Sequence, residues 1–171
     1  MKVKFSTQEM FVIYVLMSSA KMMSHKIALK KMVNDFLSDP YFGRAIEIRD
    51  LTEKNLEKSK DAFKKDIEDF AKEMGAYKGK PKSDVPQELV DRENEIKTGI
   101  VADTSKRNKK LIAEFDGLMA KNNDFEIEVG DLAKKAILQI AMEDDVKISD
   151  LNLSKDAVES FADVCLKLGI D

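Results

Sequence analysis

The apolar positions change their period several times along the chain, and each change marks an element. Residues Lys2–Phe5 alternate, with Val3 and Phe5 on one side, which predicts a short strand. Met10–Met17 (Met-Phe-Val-Ile-Tyr-Val-Leu-Met) is apolar nearly all round. The helix it predicts, running to about Met23, therefore belongs in the centre of a core. Ser6-Thr7-Gln8-Glu9 in front of it fits a capping box, in which the Ser hydroxyl and the Glu carboxylate satisfy free backbone N–H groups reciprocally. Ser24 is placed to cap a second helix, His25–Leu37, with Ile27, Met32, Val33, Phe36 and Leu37 expected inward. Ser38-Asp39-Pro40 ends it, because proline disfavours helical backbone in the residue before it.

From Arg44 to Lys121 the pattern becomes two long, charged, amphipathic stretches around one breaker cluster, Gly75-Ala76-Tyr77-Lys78-Gly79-Lys80-Pro81. In the first, Arg44–Met74, the residues Leu56, Phe63, Ile67, Phe70 and Met74 make a heptad-like, coiled-coil seam. Gly75 is expected to stop it in the left-handed conformation. Pro86 suits the first position of the second stretch. There Leu89, Ile96, Ile100, Leu111, Phe115 and Leu118 form a facing stripe, interrupted around Asp103–Arg107. Gly99 leaves open one bent helix or two shorter ones. The spacing predicts an antiparallel helical hairpin, a shape suited to contacting other molecules. Ile46, Ile48, Leu51 and Ile100 are left over along its seam for pairing.

Beyond Asn122-Asn123-Asp124 the texture changes again. Phe125–Val129 alternates strictly and predicts a strand with one wet face. A helix over about Leu132–Met142 follows, with Leu132, Ala136, Ile137 and Ile140 inward. Val146-Lys147-Ile148 predicts another short strand. Ser154 caps a last helix whose buried stripe is Ala157, Val158, Phe161, Val164, Cys165 and Leu168, closed by Gly169. The fold class expected is mostly α (α+β): a helical bundle with a long antiparallel helical hairpin and two or three short β-strands. Residues 1–171 form a single domain, with the hairpin at 44–121 and a compact α+β part at 1–43 plus 122–171.

Composition narrows the function classes. Of 171 residues, 43% are hydrophobic, enough for a core, and 36% are charged, as in long exposed helices. A net charge of −3 gives no global pull toward nucleic acid or anionic lipid. The apolar run Met10–Met17 is shorter than the roughly 20 residues a bilayer needs. Glu9 in front and no small-x-small site behind argue against a signal peptide, so a cytosolic protein is expected. The single cysteine, Cys165, excludes an intrachain disulfide framework. The single histidine, His25, excludes a His-rich metal site, and beside Lys26 it is expected exposed.

Cys165 is expected to pack inertly on its apolar stripe. Asp144-Asp145 after Glu143 lacks calcium-loop spacing and is expected to be a solvated turn. The methionines, Met17, Met22, Met23 and Met32 among them, are expected to fill the core; an exposed set would suit a binding face. No glycine-rich phosphate cradle is present. No catalytic, cofactor-binding or metal-binding residue is predicted. Three basic clusters remain: Lys78, Lys80 and Lys82 beside Tyr77; Lys106, Arg107, Lys109 and Lys110; and Lys21, Lys26, Lys30 and Lys31. The first two are the candidate interaction residues, although neighbouring Asp and Glu dilute them.

The order of elements, from Met1-Lys2-Val3-Lys4-Phe5 through Met23–Met32 and Phe70-Ala71-Lys72-Glu73 to Phe125–Val129, Val146-Lys147-Ile148-Ser149 and the helix from Ser154, resembles a small family of uncharacterised phage and prophage proteins of Gram-positive bacteria. The resemblance covers most of the chain and fails at Lys78–Pro86 and Ser149–Leu153. It implies a small accessory protein in the cytoplasm of a bacterial host, and it carries over no catalytic residue. The first function expected is therefore a non-enzymatic accessory protein acting by protein–protein contact with a host protein, a phage protein or a second copy. The alternative is a nucleic-acid-associated regulator using the lysine-rich patches. An enzyme would need a pocket with convergent polar groups.

Overall fold

The chain is mostly helical with a two-stranded antiparallel sheet, in a computed structural model that describes residues 1–120, 125–142 and 157–170, with backbone alone at 35, 141 and 157. The elements are β1 (Lys2–Phe5), α1 (Thr7–Ser19), α2 (Met23–Leu37), α3 (Pro40–Ala62), α4 (Lys64–Met74), α5 (Gln87–Met119), β2 (Phe125–Glu128), α6 (Asp131–Met142) and α7 (Ala157–Lys167). They divide into two units, Met1–Ile48 with Ile112–Asp171, and Arg49–Leu111. The expected strand Val146–Ile148, the Asp144-Asp145 turn and the Ser154 cap lie outside the described residues.

In the first unit β1 and β2 pair with Lys2 opposite Glu128, Val3 opposite Ile127 and Phe5 opposite Phe125. The alternation sends Val3, Phe5 and Ile127 into the core and leaves Lys2, Lys4, Glu126 and Glu128 in water. The capping box forms as expected: Glu9 N–H donates to Ser6 Oγ at 3.2 Å and Ser6 N–H to Glu9 Oε2 at 2.7 Å. Buried α1 packs against α2, α6 and α7. It ends at Ser19 and not near Met23, because Ala20 turns to extended backbone. Consequently α2 starts at Met23 with Met22 in the cap position, two residues before the expected Ser24 cap. Leu29 and His25 take inward places, while Ile27 and Leu37 are exposed.

Asp39-Pro40 does more than stop α2. Asp39 Oδ1 accepts from the Tyr41 and Phe42 N–H groups at 2.8 and 2.9 Å, and so caps α3, with Pro40 in its first turn. That early start brings Phe42, Ala45 and Ile48 into the core. Aromatic rings meet there edge to face, Phe11 with Phe115 at 4.9 Å and Phe36 with Phe125 at 4.7 Å. On α6 the buried residues are Ala133, Ala136, Ile137 and Ile140; Leu132 is exposed. On α7 they are Ser160, Phe161 and Val164, with Leu168 buried just past its end and Val158 exposed. Gly169, at φ +63°, closes α7, and Ile170 N–H donates back to Cys165 O at 2.9 Å.

The second unit joins residues 49–62 of α3, α4, and residues 87–111 of α5. The expected single helix Arg44–Met74 breaks at Phe63 between α3 and α4. Gly75 stays right-handed at φ −55°, so the stop lies later, at Gly79 with φ +81°. By contrast α5 runs 33 residues without interruption through Gly99. Glycine there permits close approach: a Cβ at 99 would sit 2.7 Å from the Phe63 ring. The expected interruption at Asp103–Arg107 is an i,i+4 ion pair, Arg107 Nε to Asp103 Oδ2 at 2.7 Å. Cross-links pair Asn55 with Asn108 at 2.8 Å, Phe63 with Gly99, and Glu73 with Arg92 at 2.6 Å. Partner numbers fall on one arm as they rise on the other. Among the described residues no helix is long and apolar enough to cross a membrane.

Candidate interaction surfaces

The buried places of the second unit are largely polar. Ser59 and Asn108 are buried, as is Thr52, whereas α4 buries no residue at all. Phe63, Phe70 and Met74 are half-buried, and Leu56 and Ile67 are each 37% exposed. Two helices cover only one side of each other's stripe, so an apolar margin stays in water. The Asn55–Asn108 bond fixes register, as polar pairs in helical seams do. Asp103 is held below the ordinary carboxylate range by the Arg107 guanidinium and then by Ser59. Val101 is exposed on α5.

The expected basic residues fall on this unit as two separate groups. Lys78, Lys80 and Lys82 are exposed around the turn, with Lys80 Nζ 5.4 Å over the Tyr77 ring. Tyr77 is thus already a partner of lysine. Lys106, Lys109 and Lys110, three and four residues apart, share one exposed face of α5, while buried Asn108 points the other way. Arg107 departs from that set because Asp103 neutralises it. The geometry therefore brings together three cations, not four.

In the first unit the guanidinium of Arg44 is a fork. Its Nε and second terminal nitrogen donate to both oxygens of Glu114 at 2.6 and 2.9 Å, and its first terminal nitrogen to Glu47 at 2.7 Å. Glu114 is held below the usual carboxylate range by this contact, and Arg44 is pushed further up, by Glu114 first and Glu47 second. Such saturation suits a brace and leaves the group little capacity for a ligand. Cys165 is partly covered, and burial pushes its thiol up, the opposite of what a nucleophile needs.

His25 is buried and not exposed as expected. Its Nε2 donates to Gln139 Oε1 at 2.7 Å, linking α2 to α6, and Nδ1 has no partner among the described residues. The partner lies 114 residues along the chain, beyond any local signal. Among the described residues no group of three or more His, Cys, Asp or Glu is placed to hold a metal ion.

The methionines divide. Met32 is buried as expected, whereas Met22 and Met23 are exposed. A groove of about 560 Å³ lies between α2 and the β2–α6 junction, with Met32, Val129 and Ala133 among its lining. Sequence periodicity missed it, since Ile27 and Leu132 beside it were both expected inward. Comparison of the chain with protein-family models, with curated proteins and with solved structures finds no match in any of the three.

Proposed function

We propose that the chain is a non-enzymatic contact protein, and that Arg49–Leu111 is an antiparallel helical hairpin offering its uncovered apolar margin to another protein. The observation that carries this reading is α4, strongly amphipathic yet without a buried residue. A helix acquires a segregated apolar face in order to cover it, and α4 is left with Phe70 and Met74 half-covered and Ile67 exposed. The partner is a host or phage protein that lays a helix against this margin. The resemblance in element order supports an accessory role of phage type in a bacterial cytoplasm.

Affinity capture from a Gram-positive host, followed by mass spectrometry, tests this reading against an Ile67→Asp variant. One stoichiometric protein, retained by the wild type and lost with Ile67→Asp, is the expected result. Retention of nucleic acid alone, lost in high salt and with Lys106→Glu/Lys109→Glu/Lys110→Glu, would overturn it in favour of the regulator reading.

A further inference from the structure

Helix α5 buries Leu89 and Asn108 on one face and leaves the opposite face exposed. That outer face carries Asp91, Glu95, Thr98, Ala102, Ser105 and Lys109, every one exposed. Their spacing alternates between four and three, the stripe by which one helix meets another. The chemistry is graded along it. Carboxylates stand at one end, small side chains in the middle and lysines at the other end, where Lys106 flanks Lys109.

The other charges of this stretch leave the grading intact. Glu93 holds Lys97 at 2.6 Å, Asp103 holds Arg107 at 2.7 Å and Glu73 holds Arg92 at 2.6 Å. Glu88 and Lys110 add to the acidic and the basic end respectively. Asp91 accepts from the Gln87 amide at 2.8 Å, a neutral donor that leaves its charge uncancelled. The helix dipole does not account for the pattern, because it acts within the terminal turns. Glu95 lies beyond the first turn of α5, and Lys110 well before its end at Met119. Within one helix the arrangement is unfavourable: Asp91 and Glu95 are like charges four residues apart, and so are Lys106 and Lys110.

A second copy of the same face, run antiparallel, answers both ends at once. A two-fold axis level with Ile100 sets Asp91 opposite Lys109 and Thr98 opposite Ala102. It sets Glu95 opposite Ser105, with Lys106 alongside. These pairs share that one midpoint, so the spacing itself fixes the register. A parallel copy would set carboxylate on carboxylate and lysine on lysine, which repulsion disfavours. Val101, next to Ile100 and 64% exposed, comes beside its own copy near the axis.

We propose that the outer face of α5 is a homodimer face, covered by the same face of a second copy running antiparallel about a two-fold axis level with Ile100. Charge complementarity fixes the occupant, since the acidic end of the stripe finds its complement in the basic end of the same stripe. The apolar margin around Ile67 lies on another helix, so this proposal and the contact with another protein fail separately.

A single helix pair is a small interface, so the dimer should fill only toward high concentration. Sedimentation equilibrium on the full chain, from low micromolar to near-millimolar, should show the wild type passing from monomer to dimer. Asp91→Lys/Glu95→Lys and Lys106→Glu/Lys109→Glu should each raise the dissociation constant at least about tenfold, because every facing charge pair then repels. Mixed in equal amounts, the two variants should associate again, to within about threefold of the wild type or tighter. One outer face is then wholly basic and the other wholly acidic. Ile67→Asp should leave the dimer unchanged. Circular dichroism checks that each variant keeps its helix content, as expected for exposed positions. A monomer at every concentration overturns the proposal, as does a dimer indifferent to the charge reversals. Variants that fail to recombine overturn it too, and so does a dimer abolished by Ile67→Asp, which would place self-association on α4.

Discussion

The two units of this chain solve the same problem with opposite means. In Met1–Ile48 with Ile112–Asp171, the enclosed side chains are large and apolar, Phe5, Phe36, Phe42 and Phe115 among them. In Arg49–Leu111 the enclosed places go mostly to polar residues, Thr52, Ser59 and Asn108 beside Leu89, and the aromatic residues Phe63 and Phe70 are only half-covered. One unit is held by burial and the other by a ladder of individual contacts. A burial-held unit loses most from a cavity; a ladder-held unit loses most from a misfit at one rung.

Matched truncations should separate the two most widely. Phe42→Ala removes a fully buried ring that meets Phe11, Tyr14 and Phe36, and should cost about 3–5 kcal/mol. Phe70→Ala, on a half-covered side chain, should cost less than about 2 kcal/mol. Urea denaturation followed by circular dichroism reads both. Equal losses would mean that the arms depend on burial as much as the core does.

Next in size is the ion pair of Glu9, whose side chain is 6% exposed, with Lys167, whose side chain is 41% exposed, at 2.7 Å. Lys167→Met leaves a covered carboxylate that keeps the Ser6 N–H among the described residues. The loss should be about 1–2 kcal/mol, below the value for a fully buried pair because water reaches the lysine. Glu9→Gln in the same background should recover part of it, since the charge is then gone; a further loss would show that the capping role dominates.

How much of this was legible along the chain depends on how local each cause is. The Ser6–Glu9 box and the alternation in β1 and β2 are written within a few residues, and they form where expected. Asp39-Pro40 was half legible, because the same residues that block one helix cap the next. Ile27 and Leu132 were misplaced because helical period identifies a face but not whether a neighbour exists to cover it. His25 was misplaced because its acceptor, Gln139, comes from α6. The basic residues were found by composition alone; that Asp103 takes Arg107 out of the set is a matter of spacing that was read as an interruption.

Gly99 is the sharpest test of the ladder, because two known effects oppose each other there. Alanine favours helix over glycine by about 1 kcal/mol. Yet its Cβ would stand 2.7 Å from the Phe63 ring, closer than such atoms approach, so ring or helix must shift. Overpacking of that order costs about 1–3 kcal/mol. Gly99→Ala should therefore destabilise the chain slightly. In a Phe63→Ala background the clash is gone, and the same substitution should stabilise it. A double-mutant cycle thus changes sign if the rung is real, and shows one sign throughout if Phe63 simply swings away.

The smallest effect is the acid limb of stability, and both units contribute to it. Glu114 in one and Asp103 in the other are held below the ordinary carboxylate range by Arg44 and Arg107 respectively. A depressed folded-state value means that protons bind the unfolded chain more readily. The contribution is complete above the unfolded-state value and disappears as pH falls below about 4, through the folded-state value. Arg44→Gln and Arg107→Gln should each flatten the decline in urea midpoint on acidification by lowering the neutral-pH midpoint while leaving the acid end unchanged, and both changes should be small because the groups are largely exposed. The two should also differ in kind: Arg44 grips Glu114 with a bidentate fork, so its removal should flatten the limb more than removal of the single Arg107–Asp103 contact. Equal flattening would mean that water and salt screen both contacts alike, and that the fork braces the first unit by shape more than by charge.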